Sequence, residues 1–421
     1  MSIEYIKKTS RSEEILDPLL SQRVREMLGE IRDSGEEAVK RYSNQLDSWE
    51  GDIIVTRDSI LLASERLPQK VKDDICFAHD NITRFAEAQK NTISEFSLEI
   101  TPGFEVGQKN IPVSSAGCYV PGGRYSHIAS ALMTVTTARV AGVRNIIACS
   151  PPKPAVGISD EVLFALDLCG ANTILNLGGV QGIAAMAYGL FGVPKADILV
   201  GPGNQYVAEA KRQLFGQIGI DMFAGPTDSL VIADSTADPL FVATDLIGQA
   251  EHDNLAQCIL ISKDKKIIEK IKLEITKQLK KIPRILVAKK SLTNNGMIIH
   301  VTSNKKIAEI INLIAPEHLE LNVTNYKSLL PQIKNAGSIC MGKYAVMAMT
   351  DYNIGSNHIL PTNSSAKYSS GISVNEFYKR ISYINLSKKG IESLGPSVIT
   401  LANYEGLVAH AKSVQKRIRR K

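Results

Sequence analysis

Four of the seven histidines stand beside acids, glycines or prolines: His252 in QAEHD, His318 in APEHLEL, His358 in DYNIGSNHILPT and His410 in EGLVAHA. Imidazole exchanges protons near neutral pH and binds divalent metals, so chemistry is sought there first. Gln249 and His252 are three apart near the end of an apolar-periodic stretch, Phe241 to Asp253. On a helix they share a face, where an amide oxygen and an imidazole nitrogen can supply two ligands to a divalent ion. Asp351 and His358 flank a Gly-Ser-Asn loop of the kind that often binds. Glu405 and His410 are five apart on the last helical stretch. Gln249, His252, Asp351 and His410 together would make a nitrogen and oxygen metal set without sulfur. That set suits zinc in a catalytic setting. Taken singly, each histidine also reads as a capping or surface residue.

Glu317-His318 is a different kind of pair, set at an element end behind Pro316. An imidazole can remove a proton from an alcohol, and a carboxylate can activate a water. A surface turn with two charged groups is the other reading.

The elements that must position these residues follow from periodicity. Residues 17–46 read as a helix, with Leu19, Val24, Met27, Leu28, Ile31 and Val39 on one face, 53–56 as a short strand, and 57–93 as further helix. Residues 1–110 are therefore expected to be a helical segment, packed on the second of two α/β domains. From about 111 to 227, strand, turn and helix alternate, which implies a parallel sheet with helices on both faces. Ligands in such folds bind at the carboxyl ends of strands. Three turns belong there: Val120-Pro121-Gly122-Gly123, Gly178-Gly179-Val180-Gln181 and Gly201-Pro202-Gly203-Asn204. None is a GxGxxG or a P-loop. Each brings a polar or aromatic residue (Tyr119, Gln181, Asn204), which points to a nucleotide-sized ligand; taken one by one they also read as plain tight turns. A second α/β unit follows over 228–372, of similar size and without a clear residue-level repeat. It includes APEHLEL as a helix running into a turn. Residues 373–421, SVNEFYKRISYINL among them, read as a helical tail that packs elsewhere, another subunit included.

Composition narrows the class. The chain has 421 residues, 44% hydrophobic and 22% charged, with a net charge of +6. These are ordinary values for a globular protein of two or more domains. Much of the positive excess lies in KSVQKRIRRK, which has no interleaved aromatics and reads as a solvated tail rather than a nucleic-acid site. Six scattered cysteines without a CxxC fit a reducing compartment. No signal core is visible and no run approaches the roughly 18 apolar residues of a membrane span, so the expectation is a cytoplasmic protein with no membrane partner.

Across nearly its whole length the sequence resembles the histidinol dehydrogenases. The stretches that carry the likeness are GCYVPGG, GGVQGIAA, GPGN, AGPTDSLVIAD, QAEHD, APEHLEL, DYNIGSNHILPT, SSGISV and EGLVAHAKSV. The resemblance implies two incomplete Rossmann-like domains in a zinc- and NAD-dependent homodimer. It implies oxidation of L-histidinol through the aldehyde to L-histidine by two hydride transfers, the last step of histidine synthesis. Gln249, His252, Asp351 and His410 would hold zinc and, through it, substrate. His318 would take the alcohol proton and Glu317 would activate water. Tyr119, Gln181 and Asn204 would contact NAD; Thr227, His358 and Glu405 would hold substrate. The tail would reach into the partner, so that Glu405 and His410 complete its site. The family usually has Ser-Glu where this chain has Thr227-Asp228, and the region around that turn also looks like a branch that oxidises sulfopropanediol. A paralogue acting on another small polar alcohol, and a zinc-binding protein without catalysis, are the alternatives.

Overall fold

Apolar runs closed by turns become two parallel sheets in the computed structural model, which describes residues 3–9, 17–122, 126–223, 225–281 and 285–419. The chain begins with β1 (Glu4–Lys7), α1 (Pro18–Tyr42), α2 (Arg57–Arg66), α3 (Gln69–Lys90) and a hairpin of β2 (Phe96–Thr101) and β3 (Phe104–Pro112). The first α/β unit is β4 (Ser115–Tyr119), α4 (Ile128–Ala141), β5 (Asn145–Ser150), α5 (Asp160–Cys169), β6 (Thr173–Asn176), α6 (Gly179–Tyr188), β7 (Ile198–Val200), α7 (Gln205–Leu214) and β8 (Gly219–Ile220). The second is β9 (Asp228–Ala233), α8 (Pro239–Ala250), β10 (Gln257–Ser262), α9 (Lys265–Gln278), α10 (Ile285–Asn294), β11 (Met297–His300), α11 (Asn304–Ile314), β12 (His318–Asn322), α12 (Tyr326–Leu329), β13 (Ser338–Met341) and α13 (Met347–Tyr352). The tail is β14 (Tyr378–Leu386), α14 (Lys388–Tyr404) and α15 (Val408–Arg419).

The two sheets repeat one topology. The first runs β6-β5-β4-β7-β8 and the second β11-β10-β9-β12-β13, with β1 added antiparallel on the β11 edge. Numbered within each unit, both orders are third-second-first-fourth-fifth. The repetition that residue identities do not display is therefore present in the strand order. Each sheet reverses direction of winding beside its first strand, where α/β folds open a crevice.

The N-terminal helices lie on the first sheet rather than the second. Leu20, Val24, Leu28 and Ile31 of α1 share a core with Ile183 and Met186 of α6 and Val207 of α7. Ile60, Ile75 and Ile82 of α2 and α3 pack with α4 and α5. Their apolar faces cover helices of the first unit, and only β1 joins the second sheet. Leu19, expected inside, is 70% exposed, and Leu20 takes its place. Residues 53–56 make a single bridge, Ile54 to Leu175, in place of a strand. The helix expected over 57–93 breaks at Pro68, which lacks the N–H to continue it.

Two further differences matter for the site. Residues 318–322 form a buried strand between β9 and β13, not a turn. Residues 378–386 form strand β14, paired with β3 from Tyr378 opposite Pro112 to Leu386 opposite Phe104. Its tyrosines and isoleucines favour a pleated surface over a helix. No helix among the described residues is long and apolar enough to cross a membrane.

Candidate active site

The catalytic candidates sit at the amino edge of the second sheet. Asp228, His318 and Ser338 are the first residues of β9, β12 and β13. Their edge is stitched to the first unit through the 353–363 loop. His358 Nε2 lies 3.1 Å from Ser130 Oγ on α4, Asn357 donates to the Met133 carbonyl at 3.1 Å, and the Asn363 N–H donates to Asp228 Oδ2 at 3.0 Å. Helix α4 is buried nearly all round, so it fixes that loop firmly. The site thus faces the start of α4, the helix that follows β4 at the carboxyl edge of the first sheet.

Glu317 and His318 are both buried, at 7% and 3% exposure. Their side chains are side by side, His318 Nε2 being 3.7 Å from Glu317 Oε1, which is proximity and not a hydrogen bond. His318 Nδ1 lies 3.2 Å from Ser338 Oγ. Burial, then the nearby His358 and His252, push the His318 imidazole down to about 3, so it is neutral at working pH. Burial, then the Asp228 charge, push the Glu317 carboxyl well above the usual range, with a smaller push from Asp351.

Gln249, His252 and Asp351 come together. Helix α8 ends at Ala250, so His252 lies in the turn just beyond rather than on the helical face expected for it; its N–H reaches the Gln249 carbonyl at 3.4 Å. Burial raises the Asp351 carboxyl to about 6 against the opposing pull of His252 and of the Gln249 amide. Gln249 is buried, and its Oε1 has no hydrogen-bond partner. A buried amide oxygen left unpaired costs free energy unless something else occupies it. Among the described residues no three or more His, Cys, Asp or Glu side chains gather to hold a metal, so this set is short of ligands within one chain.

His358 has both ring nitrogens engaged, Nε2 with Ser130 and Nδ1 3.0 Å from the Asp351 carbonyl. It therefore ties Asp351 to α4. Burial pushes it down to about 4. His127, at the cap of α4, also faces this cluster: burial and then His252 lower its proton affinity. Asp228, Ser130, Ser338 and His127 were not singled out from sequence. Only His127 had a visible signal, a histidine opening the helix after GCYVPGG. Thr227 is half-buried just ahead of β9, its carbonyl accepting from the Gln257 N–H at 2.9 Å.

Tyr119, Gln181 and Asn204 all lie at the carboxyl edge of the first sheet. The Tyr119 hydroxyl accepts from the Gly179 N–H at 3.1 Å, and Gln181 Nε2 donates to Asp47 at 2.8 Å while its Oε1 is buried without a partner. Asn204 caps α7 by accepting from the Tyr206 and Val207 N–H groups. Gly123, at the end of the first turn, lies outside the described residues.

Glu405 and His410 stand apart from this cluster. Glu405 closes α14, Gly406 turns the chain with φ +79°, and His410 lies on α15, so the two are on separate helices. Both are exposed. Helices α14 and α15 pack on each other, with β14 beneath α14. The hairpin shows Val398, Leu401, Tyr404, Leu407 and Val408 to solvent, Tyr404 at 92% exposure.

Comparison with known proteins covers the chain from end to end. The family model described as histidinol dehydrogenase matches residues 10–418. A histidinol dehydrogenase of Pelagibacter ubique (strain HTCC1062) is 51% identical over 98% of this chain and 98% of its own. A sulfopropanediol 3-dehydrogenase of Ruegeria pomeroyi is 43% identical over 99% of this chain and 97% of its own. The crystal structure of histidinol dehydrogenase from Elizabethkingia anophelis superposes with a TM-score of 0.92 at 35% identity, covering 98% of this chain and 94% of that one.

Proposed function

The chain belongs to the histidinol dehydrogenase family, and from that premise we propose that it oxidises L-histidinol through L-histidinal to L-histidine in two hydride transfers. By the same reading it closes histidine synthesis in the cytoplasm, with the domain divisions near 111, 228 and 373. The observation that carries the proposal is the buried Glu317–His318 pair beside Gln249, His252 and Asp351.

The orphaned Gln249 Oε1, next to a carboxylate and an imidazole, fits a divalent cation. Gln249, His252, Asp351 and the His410 of a second copy would hold zinc, which supplies positioning of the alcohol carbon against the nicotinamide more than acidity. Tyr119, Gln181 and Asn204 would contact NAD, the acceptor of both hydrides.

The protein's own groups divide the proton work. In the tautomer that donates Nδ1–H to Ser338 Oγ, His318 carries its lone pair on Nε2, where it would take the alcohol proton. Glu317, whose raised proton affinity makes its ionised form the better base, draws a proton from the water that attacks the aldehyde. Thr227 and His358 border the substrate, His358 by setting Asp351. The exposed α14–α15 hairpin supports a homodimer in which Glu405 and His410 complete the neighbour's site.

Thr227-Asp228, in place of Ser-Glu, favours a second reading: a paralogue that oxidises another small polar alcohol such as sulfopropanediol. NADH formation with L-histidinol and with sulfopropanediol, side by side, separates the two. Two NADH per histidinol, abolished by a chelator and restored by zinc, is the expected result; no turnover of histidinol would sink the first reading.

A further inference from the structure

Lys211 of α7 is among the largest fully buried side chains, and its partner Asp221 is buried with it, at 2% and 0% side-chain exposure. The ammonium pairs with Asp221 Oδ1 and also donates to the Gly201 carbonyl at 3.0 Å. Asp221 Oδ2 accepts from the Gly201 N–H at 2.8 Å, and Oδ1 accepts from the Met222 N–H at 2.7 Å. Both backbone polar groups of Gly201 therefore end on one ion pair. Gly201 has φ +116°, and a Cβ there would stand 2.0 Å from the Tyr119 carbonyl oxygen. The turn is thus pressed against the end of β4 and gripped from behind. Asn204 caps α7, and Lys211 lies seven residues further along, two turns down the same side.

We propose that Lys211 and Asp221 are positioning residues for the dinucleotide: a buried strut that holds the Gly201–Asn204 turn in its binding shape. The inference rests on the reading that NAD lies beside Tyr119, Gln181 and Asn204. Stability alone does not account for the pair. Desolvating two charges offsets most of their attraction, and an apolar pair of similar volume often stabilises as well or better. An apolar pair cannot hold an N–H and a C=O of the same glycine. What the ions add is a fixed turn, and a turn fixed before binding spares the ligand the cost of ordering it. Asp221 also lies on the connection that leads to Thr227 and Asp228, so one strut sets the cofactor turn and anchors the start of the substrate side.

The experiment is NADH titration by fluorescence on the full-length protein, with thermal unfolding and steady-state kinetics alongside. Lys211→Met with Asp221→Leu removes both charges and refills the space. The expected result is a folded protein whose NADH dissociation constant rises about tenfold. KM for NAD should rise in step, with KM for the alcohol and the zinc content unchanged. A folded double variant that binds NADH within about twofold of wild type overturns the proposal. Asp221→Asn, the milder change, is read in the same way if the double variant does not fold. A wild-type protein that binds no NADH defeats the cofactor reading itself, and the strut with it.

Discussion

Glu317 and Asp228 exchange backbone amides: the Glu317 N–H donates to Asp228 Oδ1 at 2.7 Å, and the Asp228 N–H donates to Glu317 Oε2 at 3.2 Å. Two carboxyl groups are thereby locked together in the interior. Asp228 accepts a second amide, from Asn363 at 3.0 Å. After burial, the Asp228 charge is the next largest cause raising the Glu317 carboxyl, so the base for the water step is tuned by its neighbour.

Asp228→Asn tests that coupling. With the neighbouring charge gone, the Glu317 carboxyl falls back toward the ordinary range, although burial still holds it up. The acid limb of the aldehyde reaction should therefore move to lower pH. An acid limb that stays in place would remove Asp228 from the mechanism. Asp228→Ala removes the acceptor of the buried Glu317 N–H and should cost about 1–3 kcal/mol in urea unfolding.

His318→Ala should lower kcat by roughly 10²–10⁴, the usual span for a general base. Glu317→Gln should spare the alcohol step and slow the aldehyde step, because only the second oxidation consumes water. Single-turnover traces started from alcohol and from aldehyde distinguish the two; equal slowing of both would contradict the division of labour.

How far the sequence could be read depended on whether a signal is local. The β4–α7 alternation is local, and it predicts the first parallel sheet well. Strand β14 is not: its pairing with β3 joins residues far apart in the text, and YKRISYINL alone passes for a helix. The same holds for Pro316 to Asn322, where a buried strand keeps two acids and a histidine inside, with the Asp228 N–H, the Ser338 hydroxyl and the Asn322 amide each partnering one of their polar atoms. Gln249, His252 and Asp351 were legible because their types are rare together. Asp228 and Ser338 were not, since an acid after a Pro-Thr turn and a serine opening a strand are common. Their roles arise from register across β9, β12 and β13.

A second carboxyl pair, buried Glu320 and half-buried Asp245, makes stability depend on pH. Burial, and then the Asp245 charge, raise the Glu320 carboxyl to about 9, and burial raises Asp245 to about 6. Glu320 Oε1 accepts from Asn322 at 2.8 Å, and its Oε2 is buried without a hydrogen-bond partner. Groups whose folded proton affinity exceeds the unfolded value stabilise the fold fully below the unfolded range, near pH 4. That stabilisation is lost as pH rises through the folded values. The urea midpoint should fall from pH 6 to pH 9, and Glu320→Gln should flatten the decline. An equally steep decline in the variant would show that other groups titrate instead.

The tail makes the sharpest prediction about assembly. His410 is exposed on a hairpin whose apolar side chains face solvent, while Gln249, His252 and Asp351 gather no further His, Cys, Asp or Glu ligand among the described residues of their own chain. If each site borrows His410 from the other copy, a His410→Ala chain and a His318→Ala chain should each be inactive alone. In a mixed dimer, the His410→Ala subunit keeps its own His318 and receives an intact His410 from its neighbour. One of its two sites is then whole. Random reassociation of equal amounts makes about half of the dimers mixed, so activity should return to about a quarter of wild type. Recovery of that size requires subunit exchange, and it should disappear when the two variants are mixed without dissociation. Mixed dimers that stay inactive, verified by tagged co-purification, would place His410 outside the shared site.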